Sequence, residues 1–347
     1  EQANISVARG SQVCWQYYAN DTAGNSANSS VNCFTVANTF PTQSTPVLNS
    51  TNPTTNDTNQ NLTAYNISSA DIDSDSIKNI FNWKVNGTPI TVLNMPFEQL
   101  NGTGGVNGNA RDYSGKGNNG SVSGATWNAT GGYDGKGAYE FNGSSYITIP
   151  ASANINPTLN NSGGFTILLW AKRNSTTGTV GIIESAATVG YTFYSINGDF
   201  RFYLKTTGAA WNNIPAIGNA FAANQWKHIA VTYETATNTA KVYFNGVLNA
   251  TDTTTFSGAP QINNDITYIG SYNGANLLNG SVDEVLIFNR SLSAQQINAL
   301  YKNRTDLIVA QETSTGQNWS VEITPNDGYD DGQVLESNGV LILEKIA

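Results

Sequence analysis

"NIFNWKVNGTPITVLNMPFEQ", from Asn79 to Gln99, decides how this chain is read. Its first half is a β-strand with Trp83 to bury. It is closed by Asn86-Gly87, a pair suited to a two-residue hairpin because both positions need positive φ. Such a strand belongs in the middle of a small β-sandwich, and its next strands should follow within a few residues. Instead a segment of different character, from about Val92 to Asn303, intervenes before comparable strands return.

Composition confines the answer to all-β structure. In 347 residues, charged side chains make up 12%, about half of the roughly 25% usual in globular domains. Asn, Thr, Ser and Gly take their place, while Trp 7, Tyr 16 and Phe 13 leave ample apolar surface to bury. A polar, turn-rich chain with short apolar runs reads as strands rather than disorder. The length suits two or three domains. A net charge of −9 without a basic stripe excludes a nucleic-acid binder. No run of about 18 apolar residues is present, so no transmembrane helix is expected. No signal peptide is visible, as in a mature product or an excised fragment.

Residues 1–38 read as a hairpin, "SQVCWQYYAND" and "VNCFTVA" joined by the polar "TAGNSANSS". Cys14 and Cys33 fall on its facing strands, and a disulfide between them is expected in an oxidising compartment. Acceptor sequons are dense, among them Asn20, Asn28, Asn49, Asn61, Asn66, Asn86, Asn128, Asn142, Asn174, Asn249, Asn279 and Asn289. A chain rich in Asn, Ser and Thr also makes sequons by chance. With the cysteine pair they nevertheless place the protein outside the cell, on its surface. An isolated hairpin is marginal in water. Residues 1–38 are therefore expected to be the last two strands of a sandwich whose earlier strands come from a longer chain or from a neighbouring molecule.

From Val92 onward strands follow at regular spacing. "FTILLWAKR" is apolar on both faces and should be central; "DFRFYLK" alternates, with Phe200, Phe202 and Leu204 inward. Asn197-Gly198 and Asn245-Gly246 mark hairpins. "SLSAQQINALYKN" is the one helix, with Ser293 as N-cap and Gln296 completing a capping box. The ordered set "MPFEQ", "RDYSGKGNNGSVSGATW", "GKGAYEFNGSSYITIP", "FTILLWAKR", "NQWKHIAVTYE", "KVYFNGVL" and "LNGSVDEVLIFNRSLSAQQINALY" resembles a concanavalin A-like jelly roll of the laminin G-like kind, covering residues 92–303. Beyond it, "QNWSVEITPND" reads like "SQVCWQYYAND", and "SNGVLIL" supplies a last strand. Residues 39–91 and 304–347 therefore read as two halves of one immunoglobulin-like sandwich, into which the jelly roll is inserted. The whole resembles archaeal modular cell-surface proteins with tandem immunoglobulin-like modules.

Catalysis finds little support. The carboxylate signature of glycoside hydrolases on the concanavalin A-like fold is missing. The acidic pair Asp283-Glu284 is adjacent in a strand, where alternate residues should face opposite sides. The sole histidine, His228, reads as packed, which excludes triads and most zinc sites. Calcium is a possible structural cofactor. "DIDSDS" places Asp71, Asp73 and Asp75 at alternate positions, and the sandwich topology brings Asp327, Asp330 and Asp331 of "NDGYDDG" to the same end. The family resemblance implies a second site, in which Asp283 contributes with Asp112 and Asn119 nearby; Asx turns would explain the last two equally well. In a loop, Trp211 is a candidate sugar-stacking residue, and Tyr191, Tyr194 and Tyr272 lie near turns, where core packing is the plainer role. The expected function is a non-enzymatic extracellular surface protein, a structural subunit of a surface layer or filament, an adhesion module, or both. Expected partners are copies of itself, other surface proteins and glycans. The alternatives are a monomeric glycan-binding adhesin and, more remotely, a glycoside hydrolase.

Overall fold

A computed structural model describes residues 9–65, 68–98, 109–151, 155, 163–185, 189–208, 211–262, 265–272 and 274–345. The chain is almost entirely β, as its composition requires. Two antiparallel eight-stranded sheets face each other and enclose the main core. At the centre of one lies Phe165–Arg173, between Trp226–Glu234 and Asn279–Phe288, as its two-sided apolar pattern predicts. In the other, Tyr191–Ile196 pairs with Thr179–Ser185 and with Asp199–Lys205. Phe200, Phe202 and Leu204 point into the core with Phe193, and the positions between them point out.

The opening stretch spans both parts of the molecule, which resolves its puzzle. Lys78–Val85 turns at Asn86-Gly87, both residues at positive φ, and Thr88–Pro89 pairs back against it. The chain then crosses over. Thr91–Met95 joins the jelly-roll strand Asn279–Phe288, while the long partner of Lys78–Val85 is Asn318–Asn326, more than two hundred residues later. Val340–Leu341 and Leu335–Glu336 complete that sheet, and Val47–Ser50, Leu62–Tyr65 and Leu307–Ile308 form a three-stranded sheet opposite. Strands from before and after the jelly roll thus build one small sandwich.

A second core joins the two parts. Trp83, Trp319, Val321 and Ile323 pack with Leu48 and Leu62, and also with Leu168, Ala230, Tyr243, Leu286 and Phe288 from the outer face of the first jelly-roll sheet. That sheet is therefore covered on both faces. The second core takes no residue from the other sheet.

The helix Ala294–Tyr301 starts as predicted at Ser293, whose Oγ accepts the Gln296 N–H (3.2 Å). The expected capping box does not form. Glu312 Oε1 accepts the Ser293 N–H (2.7 Å) instead. Gln296 turns away to donate to the Leu307 carbonyl and accept from the Val309 N–H, both 2.9 Å. A glutamine on the buried face meets polar backbone from the returning chain, and tertiary partners displace the local one. No described helix is long and apolar enough to cross a membrane.

Candidate functional site

The two faces of a strand alternate, so the outward residues of the uncovered sheet follow from its register. Directly opposed residues run across it in one row: Thr148, Tyr268, Glu184, Thr192, Tyr203 and Asn213. Tyr194 faces Arg201 in the next row, and Lys205 faces Trp211 at the sheet edge. Trp211 is 38% exposed. The sequence put it in a loop; it is in the edge strand Trp211–Asn213, on the same side as the row. Of the three tyrosines weighed with it, Tyr191 points into the core. Tyr194 and Tyr272 stack on each other with centroids 4.6 Å apart. Their rings support the face from one end, while Tyr146 and Tyr268 meet edge-on at the other. Glu184 and Thr192 are buried and form the floor. Alternation in "DFRFYLK" made Arg201 and Tyr203 outward-facing in the sequence, but the register that assembles the row was not legible there.

A second polar centre sits where sandwich and jelly roll meet. Lys78 donates to Glu98, Glu284 and Asp134, the last at 2.9 Å. Burial alone would lower the lysine pKa, but Glu284, Glu98, Asp283 and Asp134 outweigh it and hold the ammonium protonated well above its ordinary range. Burial raises the Glu98 carboxyl from 4.5 to about 7, against the pull of Lys78. Asp283 also rises, through burial and the neighbouring Glu284 charge. Strict alternation would have separated Asp283 from Glu284. It fails because the strand bulges there: Glu284 adopts φ 51° and the register slips opposite Leu168/Trp170. Both carboxylates are buried as a result. Asp283 accepts the N–H groups of Tyr133 (3.1 Å) and Glu284 (2.8 Å).

Of the six aspartates expected at one end of the sandwich, three group together, and Arg9 of the hairpin joins them. Asp71, Asp73 and Asp75 bring one oxygen each within 4.8 Å of one another. Arg9 donates to Asp75 and to Asn38 Oδ1 (2.6 Å), and lies over the Tyr329 ring at 3.0 Å. Asn38 Nδ2 donates to Asp327 (2.8 Å) and Asp330 (2.9 Å), and the Thr39 N–H donates to Asp73 (2.7 Å). Asp71 keeps one buried oxygen without a hydrogen bond. Asp331 turns away from the group to Arg111 and Tyr113.

Asp112 and Asn119 meet each other and not Asp283. Asp112 accepts the N–H groups of Asn94 (3.0 Å), Ser114 (2.9 Å) and Asn118 (2.9 Å) and the Ser114 hydroxyl (2.7 Å). Its own N–H goes to Asn119 Oδ1 (2.8 Å). Asp112 belongs to neither acidic group found among the described residues. Its oxygens close a turn, which is the Asx reading of the sequence.

His228 packs between Trp170 and Tyr301, and burial lowers its pKa from 6.5 to about 3. Cys14 and Cys33 are directly opposed and their sulfurs are joined. Of the sequon asparagines, Asn20, Asn28, Asn61, Asn86, Asn142, Asn174, Asn249 and Asn279 are exposed, and Asn49, Asn128 and Asn289 are half-buried. Asn66 lies outside the described residues.

Comparison with known proteins bears on the jelly roll. A search of curated protein sequences finds no match. Among solved structures, the botulinum neurotoxin type G receptor-binding domain is 20% identical, covering 62% of this chain and 51% of that one, with a TM-score of 0.44. The receptor-binding domain of the botulinum neurotoxin C/D mosaic serotype is 14% identical, with 65% and 51% covered and a TM-score of 0.47. The binding domain of Paraclostridial mosquitocidal protein 1 is 19% identical, with 56% and 49% covered and a TM-score of 0.46. The chain thus spans about half the length of these structures. Residues 141–298 match the laminin G family model described as "Concanavalin A-like lectin/glucanases superfamily". Two facing eight-stranded sheets around one core make this part of the chain a concanavalin A-like jelly-roll sandwich.

Proposed function

We propose that this is a non-enzymatic extracellular binding module that takes glycans on the outer face of its uncovered sheet. The observation that carries the reading is the cross-strand row from Thr148 to Asn213. Its half-buried members Thr148, Tyr268, Tyr203 and Asn213 offer ring faces, hydroxyls and an amide above the buried Glu184 and Thr192, on the sheet whose outer face has no part in the second core. Sugars are held by that combination: aromatic rings against their C–H faces and a few placed polar groups for their hydroxyls. Hydrolysis needs two carboxylates flanking one bond, and the row holds Glu184 alone. A glycan microarray with the whole chain tests the reading. Trp211→Ala is expected to weaken the bound glycans about tenfold, in line with the loss of one aromatic hot spot, without moving the melting temperature. An array with no binder sinks it.

A second reading, a subunit of a surface layer or filament built with copies of itself or other surface proteins, is favoured by the N-terminal hairpin. Its strands Gln12–Trp15 and Asn32–Thr35 form a sheet of two, and Trp15, Tyr17, Tyr18 and Phe34 are exposed. Open strand edges invite pairing with a neighbour. Calcium belongs to this reading. Asp71, Asp73 and Asp75 fit a hard cation at the joint between the hairpin and the sandwich, beside the free oxygen of Asp71, and Asn38 ties Asp327 and Asp330 to the same joint. Sedimentation velocity with calcium and then with chelator decides. Polymers lost on chelation support it, and a monomer throughout counts against it.

A further inference from the structure

Arg201 is set apart on the uncovered face. Among the described residues, Arg9, Lys78, Lys84, Arg111 and Arg304 form ion pairs. Arg201 is not one of them, and its Nε is buried with no hydrogen-bond partner. The strand Asp199–Lys205 fixes its direction. Phe200 and Phe202 anchor the inner side, and Arg201 stands outward, half-buried, opposite Tyr194. Among the described strand residues, the other charged groups on this side of the sheet are Lys205 and Asp199, along the same strand, and Glu184 two strands away. Asp199 is engaged with the Asn219 N–H (3.0 Å).

Protein covers the Nε, so a ligand meets the two terminal nitrogens, whose parallel N–H groups take a carboxylate in a two-point fork. Sheet geometry sets Glu184 about 12 Å from Arg201, from two strand spacings and two residues along the strand. That is about the length of two sugar rings. The net charge of −9 repels a polyanion at long range, so a ligand with one acid at one end suits the surface better than a heavily charged polymer.

We propose that the glycan bound on this face carries a carboxylated sugar, such as a terminal uronate, and that Arg201 receives its carboxylate while neutral rings extend toward Glu184 and Tyr268. This rests on the uncovered face being the glycan site. The experiment keeps the two claims apart. The whole chain is titrated with oligosaccharides ending in a uronic acid and with the methyl esters of the same compounds. The acid is expected to bind about tenfold or more tightly than the ester, the margin of a charge-assisted fork. Arg201→Gln should abolish that margin while still binding the ester, and Arg201→Lys should restore part of it. Equal binding of acid and ester by the natural protein overturns the role of Arg201 and leaves the glycan face standing. So does an Arg201→Gln variant that keeps the preference. Failure of both acid and ester to bind overturns the face and the inference together. If Arg201→Gln does not fold, judged by its melting transition, the acid-to-ester ratio of the natural protein decides alone.

Discussion

His228 is neutral because the fold gives it no water and two aromatic neighbours. The unfolded chain takes up a proton near pH 6.5 that the native histidine refuses until about pH 3. Its contribution to stability is therefore lost as the pH falls through that window, by about 1.4 kcal/mol per unit. A His228→Phe variant should lose less stability than the natural protein between pH 6.5 and pH 4 in urea titrations; equal slopes would show that the native imidazole charges. Glu98 works in the opposite sense. Its carboxyl holds a proton in the fold that the unfolded chain releases, so its contribution falls as the pH rises from 4.5 to about 7. The packed role of His228 was legible from the apolar stretch around it. That of Glu98 was not, because its partners Lys78, Asp134 and Glu284 come from three distant segments.

At the scale of elements, the bulge at Glu284 and the strand Lys78–Val85 depend on each other. The bulge turns two adjacent acids into the same buried region, and Lys78 brings the cation they need. Lys78→Met would leave Glu98, Asp134 and Glu284 facing one another without it. Breaking a buried ion pair from one side typically costs about 3–5 kcal/mol. That loss is expected by urea denaturation at pH 8, and a smaller one at pH 5, where Glu98 is protonated. Gly280 is a second constraint. A Cβ there would stand 1.9 Å from the Lys172 carbonyl oxygen, so Gly280→Ala must part the two central strands. A destabilisation of at least about 2 kcal/mol follows, and its absence would mean that the strands separate easily. Hairpin turns and the central strand could be read from the sequence because Asn-Gly pairs and two-sided apolar runs are local signals. The bulge has no local signature, since Glu284 takes positive φ to suit its neighbours.

At the scale of the molecule, the N-terminal hairpin and the rest rest on different supports. The hairpin strands are exposed and joined by Cys14–Cys33, whereas the two larger parts share a continuous core. Reduction should open the hairpin, read as faster hydrogen exchange over residues 9–37, and leave the main melting transition where it was. A common shift of both would show that the hairpin supports the whole. That strands before and after the jelly roll belong together was legible because "QNWSVEITPND" has the pattern of a sandwich strand without a sandwich around it. Its pairing with Lys78–Val85 has a mechanical consequence. A pull applied at residues 9 and 345 runs through the small sandwich, and behind the short terminal pairings of Val340–Leu341 and Val47–Ser50 it meets the long ladder between Lys78–Val85 and Asn318–Asn326. While that ladder holds, the jelly roll hangs beside the line of tension. A module that grips a ligand on its far sheet could then keep its shape under load, with the small sandwich serving as the link that bears the strain.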